Sequence, residues 1–123
     1  MNRTDPRAPR LKCTAVRSPR GATVTEIDWA DGHRSRYPHE ILRGYCPCAG
    51  CQGHSGTITF QPKEGIALEL DDISVVGNYA LSLRWFDGHD GGLYSYVYLR
   101  ALCQCDACRA ESKVSAHETI PRL

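Results

Sequence analysis

The sequence lacks any apolar run approaching the length of a membrane span, and its polar N-terminus lacks the apolar core of a secretory signal. It also lacks a charge surplus: 15 basic and 14 acidic residues leave a formal net charge of +1. Phosphate backbones are normally met with a clear basic excess, so neither nucleic acid nor a membrane is expected as a partner. No His-Glu-x-x-His helix, nucleophile–base constellation or phosphate-cradling glycine loop is present, and Gly91-Gly92 is better read as a flexible turn. Cys51 is followed by Gln52, which rules out the Cys-x-x-Cys-His pattern of haem attachment. With these absences, no catalytic residue is expected.

What the chain does have is thiol. It carries seven cysteines in 123 residues, a length that suits one domain with a modest core. Without an export signal it is expected in the reducing cytoplasm, where clustered thiols mean metal or redox chemistry rather than a disulfide framework. Six of the seven fall into two compact groups, leaving Cys13 apart. Charge is uneven along the chain. The first twenty residues hold Arg3, Arg7, Arg10, Lys12, Arg17 and Arg20 against Asp5 alone, with three prolines among them. Residues 1–19 therefore read as a flexible, solvated basic arm.

One pattern occurs twice. Trp29-Ala-Asp31-Gly32-His33, Tyr37, Leu42-Arg43 and Cys46-Pro-Cys48-Ala-Gly-Cys51 are followed by Trp85-Phe-Asp87-Gly88-His89, Tyr94, Leu99-Arg100 and Cys103-Gln-Cys105-Asp-Ala-Cys108. The offset is about 56 residues before the tyrosine and about 57 after it, so the second copy carries one inserted residue. Two copies are too few for a solenoid; two halves packed about a pseudo-twofold axis are expected instead.

Each copy has the same local logic. Thr25, Ile27 and Trp29 alternate with Val24, Glu26 and Asp28, and Leu81, Leu83 and Trp85 repeat the pattern, predicting strands with one buried face. Asp31-Gly32 and Asp87-Gly88 predict tight hairpin turns. Pro38 suits the first turn of a short helix through Arg43, and Ser95 suits the cap of a second helix ending at Leu102. Preceding strands are expected at 12–16 and at 66–76, the latter broken near Asp71-Asp72, with a turn at Gly77-Asn78. The fold class is α+β: a small, antiparallel, β-rich domain of two β-β-β-α repeats, about 20–53 and 64–108. Residues 109–123 are polar and aperiodic and read as a loose tail.

Cys46, Cys48 and Cys51 place three thiols within six residues, with Pro47 limiting the backbone and Gly50 easing the bend. That spacing lets one turn aim three sulfurs at a point, the requirement of a tetrahedral ion that prefers sulfur and imidazole. Zinc is the expected metal. Thiolate clusters also suit iron–sulfur centres, so an iron–sulfur-handling protein is the alternative. For the fourth ligand, His54 is nearest in sequence, while His33 and His89 recur at the two hairpins.

The series Asp-Gly-His, Tyr-Pro, Leu-Arg, Cys-Pro-Cys-Ala-x-Cys, Val-Gly-Asn-Tyr-Ala-Leu and a second Asp-Gly-His-Asp resembles the gamma-butyrobetaine hydroxylase-like N-terminal domain family over about residues 20–103. In the hydroxylase this domain precedes a catalytic jelly roll and holds a structural zinc through three cysteines and a later hairpin histidine. Carried over by motif, the resemblance implies Cys46, Cys48, Cys51 and His89 as ligands. Related domains also occur fused to iron–sulfur-carrier ATPases. The chain departs from the hydroxylase in having no room for a jelly roll and in having a second cysteine cluster.

The function expected is thus a non-catalytic, zinc-stapled structural or interaction module with a protein partner. An accessory domain for a separate oxoglutarate- and iron-dependent oxygenase is the enzyme-linked alternative. If the copies are related by a twofold axis, the operation that pairs His89 with the first cluster pairs His33 with Cys103, Cys105 and Cys108. Those four residues form the candidate second site.

Overall fold

The computed structural model describes residues 8–52, 57–90, 92–103, 105 and 119–121. A single 3-10 turn, Pro9–Leu11, leads into β1 (Cys13–Arg17), which pairs antiparallel with β2 (Val24–Trp29). β2 in turn pairs with β3 (Arg34–Pro38), giving a three-stranded sheet in the order β1-β2-β3. The predicted alternation holds in β2, where Thr25, Ile27 and Trp29 are buried. Helix α1 (His39–Gly44) starts directly after Pro38, whose side chain leaves no backbone N–H to satisfy at that end. A short helix α2 (Ala49–Gln52) follows within the cysteine loop, and β4 (Thr57–Thr59) comes after it.

The second half has the same order of strands. After a 3-10 segment at Gly65–Leu68, β5 (Leu70–Val76) pairs with β6 (Ala80–Trp85), and β6 pairs with β7 (Gly92–Ser95). Helix α3 (Tyr96–Leu102) is capped by Ser95, whose hydroxyl accepts a hydrogen bond from the Tyr98 backbone N–H. The registers also correspond. The first strand of each sheet skips one residue near its start, between Cys13 and Ala15 and between Leu70 and Asp72. The expected break near Asp71-Asp72 is that bulge, and the expected strand from 66 begins only at Leu70, because Gly65–Leu68 turns as 3-10 helix.

Two strands lie in the segments read as arm and tail. The strand expected at 12–16 is β1, which with the preceding 3-10 turn lies inside residues 1–19 because Cys13 to Arg17 find backbone partners on β2. The supposed loose tail contributes β8 (Thr119–Pro121), which pairs with β4 as a two-stranded ribbon. β8 does not show as periodicity because it pairs along only three residues.

One core unites the two sheets. Ile27, Trp29 and Tyr37 pack with Leu81, Leu83, Trp85 and Tyr94, and Leu42, Tyr45, Leu99 and Leu102 come from the helices and their ends. Two buried tyrosines tie the halves crosswise. The Tyr37 hydroxyl donates to the Leu99 carbonyl on α3, and the Tyr94 hydroxyl donates to the Leu42 carbonyl on α1. Each satisfies a carbonyl in the last turn of a helix, where no intrahelical donor remains. The result fixes both helix ends, and with them the cysteine loops that follow.

Candidate metal centre

The two hairpin turns are built alike. Gly32 and Gly88 take φ of +89° and +90°, a region that side chains with a Cβ rarely adopt. In each turn the aspartate folds back to accept from the backbone N–H of the histidine, Asp31 from His33 at 3.1 Å and Asp87 from His89 at 3.2 Å. The histidine therefore leaves the hairpin in a defined direction.

The direction of His89 is toward the first cysteine loop. Its Nε2 lies 3.3 Å from Cys46 Sγ, 3.4 Å from Cys48 Sγ and 3.6 Å from Cys51 Sγ. All four donor atoms lie within 4.8 Å of one another. Hydrogen bonding alone does not account for this. A neutral imidazole nitrogen has one lone pair, and three thiols converge on it. With zinc–sulfur bonds of about 2.3 Å and zinc–nitrogen bonds of about 2.0 Å, the sulfur–nitrogen edge of a tetrahedron is about 3.5 Å. The donor set and its spacing fit a single tetrahedral ion.

The surroundings hold the donors in place. Gln52 clamps the loop, its amide donating to the Cys46 carbonyl at 3.1 Å and the Thr59 carbonyl at 2.9 Å while accepting from the Thr59 N–H at 2.8 Å. Arg43, on the helix leading to the loop, grips the hairpin that brings His89. Its guanidinium donates to both Asp87 carboxylate oxygens, at 2.9 and 3.0 Å, with the arginine side chain only 5% exposed. Gly92 leaves the space: a Cβ there would meet the Tyr94 ring at 2.7 Å and Cys46 Sγ at 3.1 Å.

The electrostatics suit ligation. Burial, then the Arg43 guanidinium, holds the His89 pKa below its usual 6.5 despite the opposing Asp87 carboxylate, which favours the neutral ring that can ligate a metal. Burial pushes the thiols of Cys46 and Cys51 up. Burial opposes ionisation of Cys48 too, but hydrogen bonds from the Cys51 thiol and backbone outweigh it and bring Cys48 down. Ionisation is thus eased at Cys48 and opposed at Cys46 and Cys51, and a set of thiolates needs a cation to offset their repulsion.

His33 points to the other cysteine cluster. Its Nε2 lies 3.3 Å from Cys103 Sγ and 3.6 Å from Cys105 Sγ. Arg100 supports this hairpin as Arg43 supports the other, donating to both Asp31 oxygens at 3.3 and 3.1 Å and to the Arg10 carbonyl at 3.1 Å. Burial, then Arg100, lowers the His33 pKa.

Of the expected site residues, Cys46, Cys48, Cys51 and His89 come together in one cluster, and His33, Cys103 and Cys105 in another. Cys108 and the rival ligand His54 lie outside the described residues. Cys13 lies near neither group; its thiol contacts the Ala15 carbonyl. The supporting residues went unrecognised in the sequence. For Arg43, Arg100, Asp31 and Asp87 a signal is present, since all four recur in the doubled motif, but from sequence the aspartates read only as turn formers. For Gln52 there is none.

A family model for gamma-butyrobetaine hydroxylase-like, N-terminal domains matches residues 16–100. A crystal structure of a protein of unknown function from Acidithiobacillus ferrooxidans, in the DUF971 family, is 34% identical with a TM-score of 0.60, covering 80% of this chain and 99% of that one. A solution NMR structure is 32% identical with a TM-score of 0.64, covering 89% and 86%. Another is 25% identical with a TM-score of 0.55, covering 83% and 81%. No curated protein matches the chain.

Proposed function

The chain belongs to the gamma-butyrobetaine hydroxylase-like N-terminal family, and from that premise we propose that it is a non-catalytic zinc-binding module that presents a surface to a protein partner. The observation that carries this is the convergence of Cys46, Cys48 and Cys51 on one nitrogen of His89, a residue 38 positions beyond the last of them. Three thiolates and an imidazole complete a tetrahedral shell, which leaves no position for the water a catalytic zinc needs. Convergence on one point also favours a single ion over an iron–sulfur cluster, whose own atoms would stand between the ligands. The doubled motif, the common strand order and the reciprocal tyrosine bonds support descent of the two halves from one duplicated unit related by a pseudo-twofold axis. In that arrangement zinc staples the first half's loop to the second half's hairpin.

The cytoplasm suits this chemistry, because reduced thiols stay available to the metal. No described helix is long and apolar enough to cross a membrane. Exposed Val75, Tyr79, Phe86 and Leu93 offer apolar footholds for a protein partner.

The test is elemental analysis of full-length protein purified reduced, without added metal, followed by melting before and after chelation. Zinc is expected, and its removal is expected to unfold the domain, since structural zinc contributes on the order of 10 kcal/mol, comparable with the whole stability of a small domain. Brown protein containing iron and sulfide would replace zinc with a cluster. An unchanged melting curve after complete metal removal would refute the staple.

A further inference from the structure

We propose that His33, Cys103 and Cys105 form a second site for a divalent ion of the zinc class, weaker and more exchangeable than the first. It concerns different residues from the site above; only the ranking of affinities rests on that reading. The two sulfurs approach a single Nε2 at 3.3 and 3.6 Å, within the span found at the first cluster. Again one lone pair faces more than one thiol, which suits an ion between the donors better than a set of thiol–imidazole hydrogen bonds. The support is reproduced too. Asp31 fixes the His33 backbone, and Arg100, 9% exposed at its side chain, grips Asp31 from the helix that ends at Cys103. Cys103 is fully buried, so its sulfur is held within the fold. A bound ion would join the β2–β3 hairpin to the end of α3, crosswise to the first staple.

The difference lies in the loop. In the first cluster Pro47 restricts the backbone and the Gln52 amide clamps it by donating to two carbonyls and accepting from one N–H. At the matching places the sequence has Gln104 and Arg109. Arginine has five donors and no acceptor, so it cannot reproduce the reciprocal clamp. Loss of such outer support typically lowers metal affinity about 10- to 100-fold, which sets the expected gap between the sites.

The experiment counts metal on the reduced full-length chain while a chelator is added in steps, with zinc and, in parallel, with cobalt, whose thiolate charge-transfer absorption reports each site. Wild type is expected to bind two ions per chain and to release them in two steps. His33→Ala, a substitution of a partly exposed residue, is expected to lose only the easily released ion and to keep the fold. His89→Ala is expected to lose the tightly held one and, with it, the fold. A metal count in His33→Ala equal to that of wild type would overturn the second site. Failure of the first reading looks different: the ion that His33→Ala abolishes would remain, while His89→Ala would change nothing.

Discussion

At the scale of single residues, the distinction that matters is between the donor and the groups that aim it. Cysteine spacing made the thiols legible, because three sulfurs within six residues have few other uses. The choice of histidine was not legible from spacing; it follows from where a hairpin in the other half arrives. His89 reaches the cluster through Asp87, and Asp87 is held by Arg43 on the helix that leads to Cys46. His89→Ala is therefore expected to abolish binding of the tight zinc, whereas His54→Ala leaves stoichiometry unchanged. Zinc per chain in the two variants decides it, and the opposite pattern would make His54 the ligand. Gly92 is a similar case. Its lack of a side chain reads as flexibility in a sequence, yet it makes room for Cys46 Sγ and the Tyr94 ring. The matching place in the first half holds Ser35, which accepts from Trp29 Nε1 at 2.9 Å. Trp85 Nε1, correspondingly, has no partner among the described residues. The first metal cluster and the second tryptophan are thus not independent.

At the scale of elements, local chemistry carried the prediction well wherever an element ends on its own residues. The hairpins, the proline at the start of α1 and the serine cap of α3 all obey rules that need no tertiary information. Ser95→Ala is expected to cost about 1 kcal/mol, the usual value of an N-cap, seen as a lower denaturation midpoint with an unchanged slope. Because α3 carries Leu99, the acceptor of the Tyr37 hydroxyl, and ends at Cys103, the same variant is expected to weaken the second metal more than the first. Equal loss at both sites would mean that the cap supports the domain only globally. An element that exists only through a distant partner escapes notice. Among the described residues β8 pairs only with β4, more than fifty residues earlier, and it has no pattern of its own. β1 differs: its segment's charge and prolines suggest solvent, yet a strand is expected at 12–16, and it forms on the edge that β2 offers. Charge on the outer face fits that edge: Arg17 bridges Asp28 at 2.8 Å across the strands.

At the scale of the whole molecule, the links between halves include the tyrosine hydroxyls, the Arg43–Asp87 and Arg100–Asp31 pairs and the two thiol–imidazole clusters. Most of them respond to protons, and in the same direction. His33 and His89 have pKa values below the usual 6.5 in the folded chain. Between the folded and unfolded values the unfolded state binds more protons, so their contribution is present above about 6.5 and lost as pH falls below it. Asp87 is held low mainly by its hydrogen bonds from Arg43. Asp31 is held low by the His33 backbone and Arg100, against the effect of burial. Their contribution is present above about 4 and lost only below that. Metal adds a third term, because protons compete for imidazole and thiolate and so release the ion as pH falls. Acid unfolding of the zinc-loaded chain is therefore expected between about pH 6.5 and pH 4, above the range where the aspartate pairs alone would fail. Zinc release, followed with a colorimetric indicator, should coincide with loss of tertiary signal, since the ion joins elements far apart in the chain. If zinc leaves while the near-ultraviolet signal of the buried tryptophans and tyrosines persists, the aromatic core joins the halves without the ion. If instead both signals hold until pH 4 is passed, the ion pairs set the acid limit and the metal clusters do not.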